Sequence, residues 1–415
     1  MLISRRNFLK TSLAVVPAAT LMPQVFSRAV SAAAREQSSL GNRTLVIVQM
    51  AGGNDGLNTI VPANDDRYYA LRPAVNVEPG DVLALDHEVG FNPVLTSFKT
   101  LWHEGVLAAV EGVGYPQPSF SHFKSMDIWQ TADPGGRGFE GWAGRYLEGI
   151  AGDRADGLQA LAVDRRRPRS LFTHRVEVPI VENVDAYQLQ DNPQGTVSQA
   201  ARTEALLRIY SGARDATPFS ALLDNTVRAA TASSKAIQAA HAAYASTVVY
   251  PDSRLGRSLR TIAEAVVANL GLRVGHVRIG GFDTHASQLP DHDALLRDTA
   301  DSMLAFYRDL QAHGRDQDVV LMTWSEFGRR ATENGSGGTD HGSAGPMFLA
   351  GTPVAGGLYG ERPDLGDLIK NNLKFTTDFR SVYATAIESW LGAPSSAVLN
   401  GEFERLPLLK AGAVA

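Results

Sequence analysis

The 415-residue chain contains no cysteine, so neither disulfides nor thiolate metal ligands are available to it, and its stability has to come from a large core. It has no long basic block, and a formal net charge of -5 argues against nucleic acid as a partner. Beyond the N-terminal segment no apolar run approaches the ~20 residues of a membrane helix, because charged residues interrupt each one. Internal repeats and low-complexity tracts are missing too. The mature chain of roughly 380 residues is therefore expected to be soluble, long for one core but ordinary for a large α/β domain.

What is present begins with Ser4, Arg5, Arg6, Asn7, Phe8, Leu9 and Lys10, two adjacent arginines before an apolar position and a further lysine. A twin-arginine translocase reads this layout. A modestly apolar stretch follows from Thr11 to Phe26, and then the small residues Ser31, Ala32, Ala33 and Ala34 that suit a signal peptidase. The expectation is a leader over residues 1–34, cleaved near Ala34, and a periplasmic or extracellular protein exported folded. An uncleaved anchor fits less well, since the apolar run is short and Pro17 and Pro23 would break a helix. Export after folding favours a protein that loads a metal in the cytoplasm.

Order should begin at Arg43. Thr44 to Met50 is a nearly continuous β-branched and apolar run ended by Ala51, Gly52 and Gly53, the pattern of a strand buried on both faces of a parallel sheet. Val106–Val113, Val274–Ile279, Val319–Trp324 and Met347–Ala350 read as further strands, and Pro93–His103 and Ala294–Ala312 as helices. The alternation predicts a doubly wound α/β fold. Residues 136–252 are alanine-rich, with helical stretches at Ala200–Gly212 and Ala221–Tyr244, and read as a helical insertion or cap within one domain over residues 43–410.

Five clusters sit just after strands or at helix starts, where open α/β sheets place their ligands. They are Gly52–Asn58, with Asp55; Ser119–Phe123, with Ser121 at a helix N-cap position; Gly280–His285, with Asp283 and His285 and then Gln288 and His292; Trp324–Arg330, with Glu326, Arg329 and Arg330; and Thr339–Gly342, with Asp340 and His341. Each has an ordinary structural explanation taken alone: a turn, a cap, or an ion pair closing a loop. Together they form an oxygen and nitrogen ligand set without thiolate, which suits Zn, Mn, Mg or Ca. Two metals about 4 Å apart would stabilise both the attacking and leaving oxygens of a displacement on phosphorus.

On these motifs the chain resembles the exported family called domain of unknown function 1501, itself similar to the alkaline phosphatase and sulfatase superfamily. The resemblance implies an alkaline-phosphatase-like mixed, mostly parallel sheet flanked by helices, with metals held at strand ends. It implies Ser121 as nucleophile, Asp55 as the ligand after the first strand, Asp283 and His285 on one metal, and Asp340 and His341 on the other. Glu326 would be a further ligand or a base behind the ligands, and Arg329 or Arg330 would steady the equatorial oxygens. The superfamily's third histidine near the C-terminus has no counterpart after His341, so His292 substitutes, water fills the place, or a single metal binds.

Two functions follow. One is an exported metal-dependent hydrolase of an anionic phosphate ester, sulfate being disfavoured because the residues after Ser121 are His122, Phe123 and Lys124 and cysteine is absent. The other is a non-catalytic periplasmic binding or assembly protein on a degenerate phosphatase scaffold. The cluster Arg165, Arg166, Arg167 and Arg169 offers a surface for an anionic polymer, or simply a solvated face.

Overall fold

The computed structural model describes residues 42–413, apart from 137, 152–157, 185, 188–198 and 212–217. The expected leader lies outside the described residues. From the N-terminus, β1 (Thr44–Ala51) leads to a small antiparallel sheet of β2 (Ile60–Val61), β3 (Leu83–Ala84) and β4 (Gly90–Phe91), with α1 (Asp66–Leu71) between β2 and β3. Next come α2 (Thr96–His103), β5 (Leu107–Gly114), α3 (His122–Thr131), α4 (Trp142–Ile150) and β6 (Ala160–Val163). Then follow α5 (Gln199–Ser211), α6 (Pro218–Ala243), α7 (Arg254–Val267), β7 (Val274–Gly280), α8 (Gln288–Ala312) and β8 (Val319–Trp324). The chain finishes with the hairpin β9 (Gly328–Glu333) and β10 (Thr339–Gly342), then β11 (Gly345–Ala350), β12 (Gly357–Tyr359), β13 (Thr377–Asp378), α9 (Phe379–Thr385) and α10 (Ser395–Leu399).

The central sheet runs β12-β5-β11-β8-β1-β7-β6, with β13 also pairing with β5. All its pairings are parallel except those of β11, which is antiparallel to both β5 and β8. The fold is thus a mixed, mostly parallel sheet flanked by helices. The five expected strands are all present, each within two residues of its expected bounds. Residues 136–252 hold helices α4, α5 and α6, but they also supply β6, an edge strand of the central sheet.

The layers follow from the two-residue period of a strand. In β1, Val46, Val48 and Met50 face one helical layer, packed with Phe98 of α2, Leu259 and Ile262 of α7, and Leu296 and Met303 of α8. Leu45 and Ile47 face the other, with Trp129 of α3, Trp142 and Tyr146 of α4, and Phe379 and Tyr383 of α9. Every β1 side chain is buried, so each large aliphatic on both faces contributes about 1.5–3 kcal/mol. No helix among the described residues is long and apolar enough to cross a membrane.

Candidate metal centre

Because β1, β7 and β8 run parallel and adjacent, their C-terminal ends release three loops at one edge. They carry Gly52–Asp55, Gly281–His285 and Ser325–Glu326. The first two loops nearly touch: Gly52 has φ +126°, and a Cβ there would lie 2.4 Å from the Asp283 amide nitrogen, so only glycine fits. The hairpin β9–β10 folds over the same edge with Arg329 and His341, and the first turn of α3 brings His122.

These loops gather three imidazoles around one carboxylate. His341 Nε2 lies 2.9 Å from Asp283 Oδ1 and 2.9 Å from His285 Nε2, and His285 Nε2 is 3.0 Å from Asp283 Oδ1. His122 Nε2 is 3.3 Å from Asp283 Oδ2. Atoms of His122, Asp283 and His341 fall within 4.8 Å of one another, a spacing that can hold a metal ion. The Phe327 ring packs against His122 and His341, with centroid separations of 4.9 and 4.3 Å.

The other nitrogen of each imidazole decides what the ring can do. His341 Nδ1 donates to the Phe120 carbonyl at 2.8 Å, His122 Nδ1 to Glu326 Oε1 at 2.9 Å, and His285 Nδ1 faces Asp340 Oδ1 at 3.3 Å. An Nδ1–H held by an oxygen leaves the Nε2 lone pair of a neutral ring free, and all three Nε2 atoms point at Asp283. Tetrahedral coordination at 2.0–2.1 Å separates ligand atoms by ~3.3 Å, close to the spacing here. The residues present therefore fit a divalent ion.

Asp283 is prepared by a buried cation. Arg329 donates from Nε to Gly53 O at 2.7 Å, from Nη1 to Thr339 O at 2.8 Å, and from Nη2 to Phe282 O at 2.7 Å and Asp283 Oδ1 at 2.9 Å. Burial works to raise the Asp283 carboxyl, but the contacts with His341 and with the Arg329 guanidinium prevail and hold it at about 2. The hydrogen bond to Glu326 pushes the His122 imidazolium upward from its ordinary value. Glu326 is wholly buried, and its Oε2 has no partner among the described residues.

The expected site residues divide into two groups. Asp283, His285 and His341 meet in the cluster, Asp340 flanks it, and Glu326 stands behind His122. Arg329 is 1% exposed and spent on backbone carbonyls and Asp283, whereas Arg330 is partly exposed and lies 3.8 Å from Asp340. Ser121 occupies the N-cap position of α3 but makes no capping hydrogen bond. Its neighbours on either side, Phe120 and His122, both contact the cluster.

Asp55 and His292 sit elsewhere, in a polar network sealed beneath the loops. Asp55 is fully buried and paired with Arg72 at 2.6 Å, and Gln288 donates to the same carboxylate oxygen at 2.6 Å. Burial would raise the Asp55 carboxyl, yet the Arg72 guanidinium holds it below its usual range. His292 lies on the buried face of α8, bonded to Asn54 at 2.9 Å, and burial lowers it to about 4. Arg165, Arg167 and Arg169 pair with Glu182, Glu177 and Asp127.

Sequence reasoning passed over two residues. His122 stands inside a quoted cluster, yet one histidine beside a helix cap carries no signal of its own, since its partners are more than 150 positions away. Arg72 ends α1, seventeen positions after Asp55 and in no motif.

The chain is similar, at low identity, to several solved structures. The PsFucS1 sulfatase from Pseudoalteromonas sp. shares 11% identity and a TM-score of 0.40, over 95% of this chain and 78% of that one. The lipoteichoic acid synthase LtaP from Listeria monocytogenes shares 9% and 0.36, over 88% and 79%. A protein in the alkaline phosphatase superfamily from Vibrio parahaemolyticus shares 10% and 0.34, over 93% and 78%. No curated protein matches the chain. Residues 102–389 match the model of the family described as protein of unknown function (DUF1501), and the chain belongs to that family.

Proposed function

We propose that this protein is an exported metal-dependent hydrolase of phosphate esters, built as one α/β domain over residues 43–410 and sent out folded by the twin-arginine translocase. The observation that carries the reading is the common orientation of three imidazoles, each held at Nδ1 and each turning Nε2 toward Asp283. His122, His285, His341 and Asp283 would hold the ion, and a nitrogen-rich set of this kind suits Zn or Mn better than Mg or Ca. When bound, the ion supplies a Lewis acid that polarises the ester and lowers the pKa of a nearby hydroxyl or water.

The chain's own residues supply the rest. Ser121 offers a hydroxyl not committed to its helix, between two residues that touch the cluster, and it is the nucleophile in this reading. Arg329 fixes Asp283 from below, and Arg330 presents a half-exposed cation to the ester oxygens. Phosphate is favoured over sulfate because His122, Phe123 and Lys124 follow Ser121 where a formylglycine-forming sequence would differ.

The test is metal content and turnover of p-nitrophenyl phosphoesters by wild type, Asp283→Asn, His341→Ala and Ser121→Ala. The reading requires bound metal in wild type, its loss in the first two variants, and loss of turnover with retained metal in Ser121→Ala. A folded wild type that takes up no divalent ion and turns nothing over would leave a binding or assembly protein on the same scaffold.

A further inference from the structure

We infer that the centre takes a single divalent ion and acts on an ester carrying one negative charge. The inference rests on the hydrolase reading above and narrows it to a substrate class.

Among the described residues, the histidine and carboxylate group with the spacing of a metal site is the one around Asp283, and the expected ligand left outside it in the loop after β1 is Asp55. That carboxylate already has its cation. Arg72 reaches Asp55 Oδ2 and Asn58 Oδ1, each at 2.6 Å, and its remaining nitrogens donate to Ala331 O at 2.9 Å and Arg330 O at 2.8 Å. Arg72 and Asp55 are both 0% exposed. A divalent ion beside this guanidinium would meet like charge in a medium too apolar to screen it, so the buried pair excludes what a free Asp55 would attract. His292, the other ligand candidate there, is sealed at 0% exposure with Nε2 engaged by Asn54.

The charge of the remaining site then bounds the substrate. Asp283, Asp340 and Glu326 are its carboxylates, and Arg329 and Arg330 its guanidiniums. Together they leave one negative charge, which one divalent ion turns into one positive charge. A singly charged phosphodiester neutralises it. A doubly charged phosphate monoester overshoots, and no further cation contacts the described cluster to offset the excess. A sulfate monoester has the same single charge as a phosphodiester, and the substrate panel separates the two.

The experiment counts ions per folded full-length chain by native mass spectrometry with Zn or Mn. It also compares kcat/KM for bis(p-nitrophenyl) phosphate, p-nitrophenyl phosphate and p-nitrophenyl sulfate. One ion, retained in Asp55→Asn, and at least a tenfold preference for a singly charged ester over the phosphate monoester are expected. Two ions in wild type, or the phosphate monoester used as well as the diester, would overturn the inference while leaving the hydrolase reading in place. No ion and no turnover would remove both. The wild-type count decides the question even if Asp55→Asn does not fold.

Discussion

Glu326 receives the Nδ1 proton of His122 at 2.9 Å on the same carboxylate oxygen that accepts the Gly52 amide at 2.9 Å. One buried oxygen thereby ties the loop after β8 to the loop after β1 and sets the tautomer of an imidazole on α3. Glu326→Gln keeps the shape but removes the charge that favours Nδ1–H. Metal affinity should fall by roughly 10–100-fold, as losses behind a ligand do, with the far-ultraviolet spectrum unchanged. Competition with a chelating dye measures it, and equal affinities would dissociate Glu326 from metal binding.

Chelation should lower stability reversibly. An ion that binds only the folded chain adds about 2.7 kcal/mol when free metal is a hundredfold above its Kd, visible as a Tm that falls with chelator and returns with Zn or Mn. A Tm indifferent to metal in wild type, at saturating concentrations, would argue against a site in the folded state.

The Arg72–Asp55 pair should be costly to break from one side. Arg72→Met leaves the Asp55 carboxylate buried and uncompensated and deprives two backbone carbonyls of donors, a loss on the order of 3–5 kcal/mol in denaturant unfolding. A change below about 1 kcal/mol would mean that the carboxylate finds water or a proton at little cost.

Acid sensitivity should come in part from histidines outside the cluster. His276, in β7, is fully buried with neither ring nitrogen partnered among the described residues, and burial lowers its pKa to about 3; His292 is lowered to about 4. Both rings stay neutral in the folded chain and take up a proton near pH 6.5 when it unfolds. Their contribution is complete above that pH and is lost as pH falls toward 4 and then 3, at about 1.4 kcal/mol per unit for each group. His276→Leu removes unpaired polar atoms at similar volume, so it should keep or raise stability at neutral pH and flatten the acid limb. Urea unfolding at several pH values reads both effects, and a steeper acid limb in the variant would contradict the assignment.

The strands of this fold were legible because burial on both faces writes an uninterrupted apolar run, as in Thr44–Ala51 and Val319–Trp324. Strand direction leaves no such trace, so β11 reads like its neighbours although it runs against β5 and β8. The four residues of β6 are too short to stand out from alanine-rich surroundings, and β9 and β10 carry polar side chains because they pair only with each other above the sheet. Asp283, His285 and His341 were visible because each follows a strand or a glycine-rich turn. Asp55 shares that signature, and only the arrival of Arg72 from α1 separates a neutralised carboxylate from one free to bind metal.

The place of β1 in the sheet sets a clock for the whole molecule. The first strand of the described chain lies between β7 and β8, with Leu45 paired to Val274 and Val320. It therefore waits at the ribosome for partners that emerge more than 220 residues later, about 10–45 s at ordinary rates of synthesis. Until then an all-apolar strand has no sheet to enter, and no N-terminal fragment can close the core. A chain truncated before residue 319 lacks one wall of its central strand, so this sheet cannot close until β8 has been synthesised.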